Sequence, residues 1–241
     1  MKRVITVLGL SVALVLSASM TAEAQSKKKG KEPELAISKR GNLLMEDDFS
    51  EKDLLWQFNK KECEYRIIKG SLATKSECAR DSRSALTRQF TPADNVVVEL
   101  RAILPTSASI NVAVTHKGAT FIVAGIVVPN EKSFYLNTWT ASGATPADRN
   151  KKVSLGHLLY AKPRWVSVLF EAIEGNYALT VDGRTVRWEQ VPYEKSERSL
   201  IQIIPGKPAS NEVLAIDDVK VWEALPKDEG EDKDEKGKKK K

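Results

Sequence analysis

The chain has 241 residues, 41% of them hydrophobic and 29% charged, with a formal net charge of +6. The excess sits at the ends: six basic and two acidic residues lie between Gln25 and Arg40, seven lysines and six acids follow Pro226, and Gly41–Pro226 is electrically balanced. A nucleic-acid binder carries its basic excess on the folded domain with aromatics interleaved, so that class is excluded, and the neutral segment is long enough for one two-layer domain with a substantial core.

In chain order, Lys2 and Arg3 precede an apolar run from Val4 to Leu16, and Ala22-Glu23-Ala24 follows as an A-x-A cleavage site. Residues 1–24 therefore read as a secretory signal peptide, with the mature chain beginning at Gln25 in the periplasm or outside the cell. No later apolar run approaches 18 residues, so no membrane span is expected in the mature chain. Residues 25–42 read as a basic disordered linker, 43–224 as the folded domain and 225–241 as a charged disordered tail.

Inside the domain, short strand signals alternate with turn residues and helical periodicity is nearly absent. A first strand runs from Leu43 to Phe49, a helical turn over Glu51–Leu55 is capped by Ser50, and Trp56–Phe58 follows. Glu64–Lys69 and Ser71–Lys75 form a hairpin that turns at Gly70. Cys63 and Cys78 flank it. In an exported chain two cysteines so placed are expected to form one disulfide, which in the chain-entropy model stabilises by about 3 kcal/mol. Further strands are expected over Ser84–Phe90, Val96–Leu104, Ser109–Thr115, Thr120–Val128, Lys132–Thr140 and Val153–Leu159, with a loop over Ala141–Lys152. Val96, Val98, Leu100 and Ala102 alternate with Val97, Glu99, Arg101 and Ile103, which puts the first set on the core and the second nearer to solvent. Arg164–Ile173, Tyr177–Val181 and Thr185–Trp188 are joined by Glu174-Gly175-Asn176 and by Asp182-Gly183, a strong hairpin signal. Leu200–Ile204 and Val213–Trp222 close the domain. About a dozen strands without helices predict an all-β, antiparallel two-sheet sandwich, with the first and last strands as neighbours.

Three segments carry a family resemblance. Met45-Glu46-Asp47-Asp48-Phe49-Ser50 with Trp56 soon after, Lys162 to Val168 with Gly175-Asn176-Tyr177 and Val181-Asp182-Gly183-Arg184, and Ile216 to Glu223 together resemble the framework of concanavalin A-like jelly rolls. The nearest branch is the 3-keto-disaccharide hydrolase-like domain, with the laminin-G-like domains beside it. The resemblance covers residues 43 to 223 and implies a jelly-roll fold and a sugar ligand. It also implies a glycoside hydrolase or lyase activity as one alternative. Hydrolase-like members usually carry a glycine-asparagine-serine-glycine run where this chain reads Thr106 to Val112, and a strand with several carboxylates where it reads Lys132 to Trp139.

The residues themselves favour binding over hydrolysis. Glycosidases need two carboxylates about 5 to 10 Å apart, and the E-x-D-x-x-E spacing used by glycoside hydrolases of this superfamily is missing. Asp47-Asp48 and Asp217-Asp218 are adjacent pairs, expected to point to opposite faces of their strands and to bond backbone amides near turns. His116 and His157 have no partner at metal-ligand spacing, and no G-x-S-x-G elbow or P-loop occurs. Laminin-G-like domains often bind calcium, but no loop inside this domain concentrates three acidic residues, so the ligand count does not support it and no cofactor or metal is assigned. Trp165 and Trp222 read as core or framework. Tyr135, Asn137 and Trp139 share one face of a strand, Glu99 and Arg101 one face of another. Brought together on a concave sheet, these two faces would form a carbohydrate cleft, although Trp139 suits core packing as well. The expectation is an exported, non-catalytic module that binds carbohydrate or another envelope component. Alternatives are a 3-keto-glycoside hydrolase or lyase and a structural or protein-interaction domain.

Overall fold

The computed structural model describes residues 33–51, 55–58, 65–74, 85–116, 121–140, 152–155, 164–189, 191, 199–205 and 213–227. The expected signal peptide, most of the helical turn after Ser50, the Cys63–Cys78 bridge, His157 and the tail beyond Lys227 lie outside these residues. The described chain forms fourteen strands: β1 (Ser38–Asp47), β2 (Tyr65–Ile68), β3 (Ser71–Thr74), β4 (Leu86–Phe90), β5 (Val96–Ile103), β6 (Ile110–His116), β7 (Phe121–Val128), β8 (Ser133–Thr140), β9 (Val153–Ser154), β10 (Trp165–Ile173), β11 (Asn176–Val181), β12 (Arg184–Trp188), β13 (Ser199–Pro205) and β14 (Leu214–Pro226). Between β7 and β8 the chain makes one 3-10 turn, Pro129–Glu131, which Lys132 closes by donating its N–H to the Pro129 carbonyl at 2.9 Å.

The strands build two antiparallel sheets. One has the order β12-β11-β10-β5-β14-β3-β2, with β1 also pairing with β14; the other runs β4-β13-β6-β7-β8-β9. Local hairpins follow from turn chemistry. Lys69-Gly70, Glu174-Gly175 and Asp182-Gly183 all have positive φ at both positions, the geometry whose twist matches that of the flanking strands. Asp182 also ties its turn to β10: its N–H donates to the Ser167 carbonyl at 3.1 Å, and its carboxylate accepts from the Ser167 N–H at 2.9 Å.

The two sheets enclose one main core. From the larger sheet Leu72, Val98, Phe170 and Leu179 point inward; from the smaller, Ile110, Phe134, Leu136 and Ile203. Gly125 on β7 faces the same space, and a Cβ there would lie 2.8 Å from Leu179 Cδ1. That close approach is why the position carries no side chain.

The first strand starts at Ser38, earlier than the expected Leu43, and the last ends at Pro226 rather than near Trp222. Ser38, Lys39 and Arg40 pair with Pro226, Leu225 and Ala224. Residues 33–42 thus belong to the folded unit instead of a linker. Two causes hold them. A second apolar cluster forms on the outer face of the larger sheet, where Leu35 and Ile37 pack on Val97, Leu169 and Trp222. Below it, the Glu171 carboxylate is 0% exposed and accepts four hydrogen bonds: from Ala36 N (2.7 Å), Ile37 N (3.0 Å), Ser38 N (3.0 Å) and Ser38 Oγ (2.7 Å). Val97, expected nearer to solvent, is buried by this strap.

Candidate functional site

Each sheet presents an outer face, and the two differ sharply in chemistry. On β5 the outward residues Glu99 and Arg101 are both engaged. Arg40 forms an ion pair with Glu99. The Arg101 guanidinium reaches Asp218 at 3.1 Å and lies 5.0 Å from the centre of the Trp165 ring. Lys220 reaches Glu46 at 2.7 Å, which raises the pKa of Lys220 through that hydrogen bond. Trp165, expected in the framework, instead stands partly exposed on this outer face beneath Arg101.

The paired aspartates Asp217 and Asp218 also depart from expectation. The pairing of β14 with β5 shifts register between Asp217 and Lys220, and Asp218 has φ 49°. This β-bulge puts two residues against one on the partner strand. Both carboxylates consequently point to the same outer face, Asp217 toward the Ser71 hydroxyl (3.3 Å) and Asp218 toward Arg101. Burial raises the Asp217 carboxyl above its ordinary value, against the Asp218 N–H that it accepts at 2.8 Å. At the other pair, Asp47 accepts from Phe49 N (2.9 Å) and Trp56 Nε1 (3.0 Å) and forms an ion pair with Arg88, while Asp48 accepts from Ser50 N at 3.0 Å. A surface pocket of about 560 Å³ opens beside this group between β1 and β4, lined by Met45, Glu46, Arg88, Gln89 and Phe90.

The outer face of the smaller sheet is different. Strand alternation turns Phe134, Leu136 and Thr138 inward and leaves Tyr135 and Asn137 on the outside. Cross-strand register extends this into rows. Ile204, Asn111, Ile126 and Tyr135 stand opposite one another across β13, β6, β7 and β8. The next row, from β4 to β8, is Thr87, Gln202, Ala113, Ala124 and Asn137. Ala113 and Ala124 form a low strip packed among Ile122, Ile126 and Tyr135. Amides from Gln202 and Asn137 close its two ends. The Asn111 Oδ1 is buried and has no hydrogen-bond partner among the described residues. At the rim, the Lys152 ammonium sits 5.3 Å from the Tyr135 ring centre and pairs with Glu131 at 2.6 Å, a contact that raises its pKa. Trp139 lies one residue before the end of the same strand, opposite Ile122; its side chain is outside the described part.

The residues singled out from sequence are thus split between the two sides of the sandwich. Tyr135, Asn137 and Trp139 lie on β8 in the smaller sheet, Glu99 and Arg101 on β5 in the larger. The two faces do not meet, because β5 is hydrogen-bonded between β10 and β14. What sequence reasoning missed are Asn111 and Gln202. Each lies outward between apolar neighbours, a signal present in the alternation of Ile110–His116 and Ser199–Pro205. Among the described residues no group of three or more His, Cys, Asp or Glu side chains is placed to hold a metal ion, and no helix is long and apolar enough to cross a membrane.

Solved structures share this arrangement of two sheets. The chain is similar to the laminarinase catalytic domain from Thermotoga maritima MSB8, with a TM-score of 0.56 and 10% identity over 76% of this chain and 98% of that one. The fold is a concanavalin A-like jelly roll. The laminarinase from Flavobacterium sp. UMI-01 is similar with a TM-score of 0.53 and 14% identity over 76% of this chain and 100% of that one. So is the CBM2 module of the evolved Dit protein of Lactobacillus casei BL23 phage J-1, at 0.53 and 8% over 80% and 100%. No family model and no curated protein matches the chain. At these identities the likeness is one of jelly-roll fold.

Proposed function

We propose that the chain is an exported carbohydrate-binding jelly-roll module whose ligand lies on the outer face of the six-stranded sheet, against Tyr135 and Asn137, with Trp139 near the end of the same strand. The observation that carries this reading is the cross-strand face itself: an aromatic ring, amides on three strands and a low strip of two alanines between them. Sugar rings offer apolar faces to aromatic side chains while their hydroxyls exchange hydrogen bonds with amides, so this mixture suits them. Solved structures of this fold whose names describe a laminarinase or a carbohydrate-binding module support the same reading. Export is supported by the Lys2-to-Ala24 pattern. Binding is favoured over hydrolysis because the outward positions in the middle of this face are Asn111, Gln202 and Asn137, where glycoside hydrolysis requires a pair of carboxylates.

The test is binding of the purified protein to a broad glycan panel, with Tyr135→Ala as the comparison. The expected result is retained folding and about a tenfold loss of affinity in the variant, worth about 1.4 kcal/mol of aromatic contact. A protein that binds no glycan refutes the reading and leaves a protein-interaction role for this face. Turnover of a 3-keto sugar would move the assignment to the hydrolase alternative.

A further inference from the structure

The contrast between the two outer faces carries a second conclusion, which rests on the glycan-binding reading above and sharpens it. The larger sheet displays Arg40, Glu99, Arg101, Asp218, Lys220 and Glu46 as paired charges. The smaller sheet displays none among the described outward residues of its interior. Its described outward positions are Thr87 and Gln89 on β4, Gln202 on β13, Asn111 and Thr115 on β6, and Asn137 on β8, with Ala, Ile, Val and Tyr between them. Among the described residues, Lys152 and Glu131 sit at the rim and neutralise each other at 2.6 Å.

We infer that this face takes an uncharged polysaccharide, running across the strands along the strip from Gln202 to Asn137, and discriminates against uronate-bearing and sulfated glycans. Three physical points support it. An anionic glycan brought onto a face of amides and alkyl groups loses hydration, and among the described residues the cation beside Tyr135, Lys152, is already paired with Glu131, so the cost is large for a charge and small for a hydroxyl. Each amide carries both a donor and an acceptor, the pairing that hydroxyl groups need. The strip crosses β13, β6, β7 and β8, three inter-strand spacings or about 14 Å, which is longer than one sugar ring and calls for a chain rather than a monosaccharide.

The experiment is affinity electrophoresis of the full protein in gels containing uncharged polymers (hydroxyethylcellulose, dextran, soluble starch) or anionic ones (alginate, dextran sulfate). Each gel is run at about 50 mM and about 500 mM NaCl, because screening separates charge attraction from the rest. Retardation by at least one uncharged polymer, changing less than about twofold with salt and lost in both Tyr135→Ala and Gln202→Ala, is the expected result. Thermal melts of both variants check that they fold. Retardation by the anionic polymers alone, fading in high salt, overturns the inference while leaving the glycan-binding reading in place. Retardation by uncharged polymers that survives in both folded variants overturns it too, since the ligand then lies elsewhere. Retardation by neither class refutes the glycan-binding reading and the inference with it.

Discussion

Replacing Glu171 by alanine tests the account of how the strap Leu35–Ser38 is held on the larger sheet. The carboxylate is fully buried; three backbone N–H groups and the Ser38 hydroxyl satisfy it. Hydrogen bonds to a charged acceptor contribute about 1.5 to 3 kcal/mol each, and a buried donor left without a partner costs about 1 to 3 kcal/mol. Four such bonds cannot all be charged at full value, because the segment from Leu35 to Ser38 can lift and let water reach its amides. Lifting instead uncovers Leu35, Val97 and Leu169, and exposing two or three buried aliphatic side chains costs about 1.5 to 3 kcal/mol each. Whichever route is cheaper, the loss comes to about 3 to 5 kcal/mol. For a domain of this size each kcal/mol lowers Tm by about 2 to 4 °C, so a drop of about 6 °C or more is expected. Calorimetry gives the Tm, and amide hydrogen exchange at Ala36, Ile37 and Ser38 reports whether the segment lifts. Glu171→Gln, which keeps the shape but turns one acceptor into a donor, should fall between wild type and Glu171→Ala. A Glu171→Ala protein melting within about 2 °C of wild type, with the same exchange protection, would refute the reasoning.

Other predictions follow from single contacts. Gly125→Ala places a methyl 2.8 Å from Leu179 Cδ1 and 3.2 Å from Phe170, and should cost about 1 to 3 kcal/mol in a urea melt; no measurable cost would mean that the core has slack there. Gly183→Ala meets no atom within 4 Å but has φ +79°, so it should cost about 1 kcal/mol through backbone strain alone, and an unchanged Tm would contradict that geometry. For Asp217 the folded carboxyl holds its proton more tightly than the ordinary value of 3.8. Between that value and its raised one the folded state therefore binds more protons, and stability falls as pH rises through the window. Asp217→Asn should then melt slightly higher than wild type at pH 7, with the advantage shrinking as pH falls toward 3.8; a variant less stable at pH 7 would show that the bonds to Asp218 N and Ser71 Oγ outweigh the burial.

Strand order along the chain was legible because its signals are local. Alternation located β5, β8 and β10 to within a residue or two, and Asp182-Gly183 marked a hairpin whose two central residues do adopt positive φ. The strap over the larger sheet was not legible. Lys39 and Arg40 look like the end of a basic tail, and the groups that turn Ala36–Ser38 into structure, Glu171 and the cluster of Val97, Leu169 and Trp222, lie far away in sequence. Alternation also failed at Asp217-Asp218, because one left-handed residue in a bulge resets the two-residue period and no residue-type rule announces it. The candidate site was half visible. Periodicity shows which side chains share a face of one strand, so Tyr135 and Asn137 were found together. It cannot show which strands share a sheet, since that depends on pairings such as β5 with β14, and Glu99 and Arg101 were grouped with them wrongly.

The position of β14 has a consequence for the order in which the protein can assemble. This strand lies in the middle of the larger sheet, with β5 on one side and both β1 and β3 on the other, although it is the last of the described strands to be synthesised. Until residues 214–226 are available, β1 lacks the strand it pairs with, β3 is paired with β2 alone and β5 has an open edge. Nascent chains ending short of Leu214 therefore lack the strand that joins β1 and β3 to β5. The sheet locks only when its last-made strand slides into the gap.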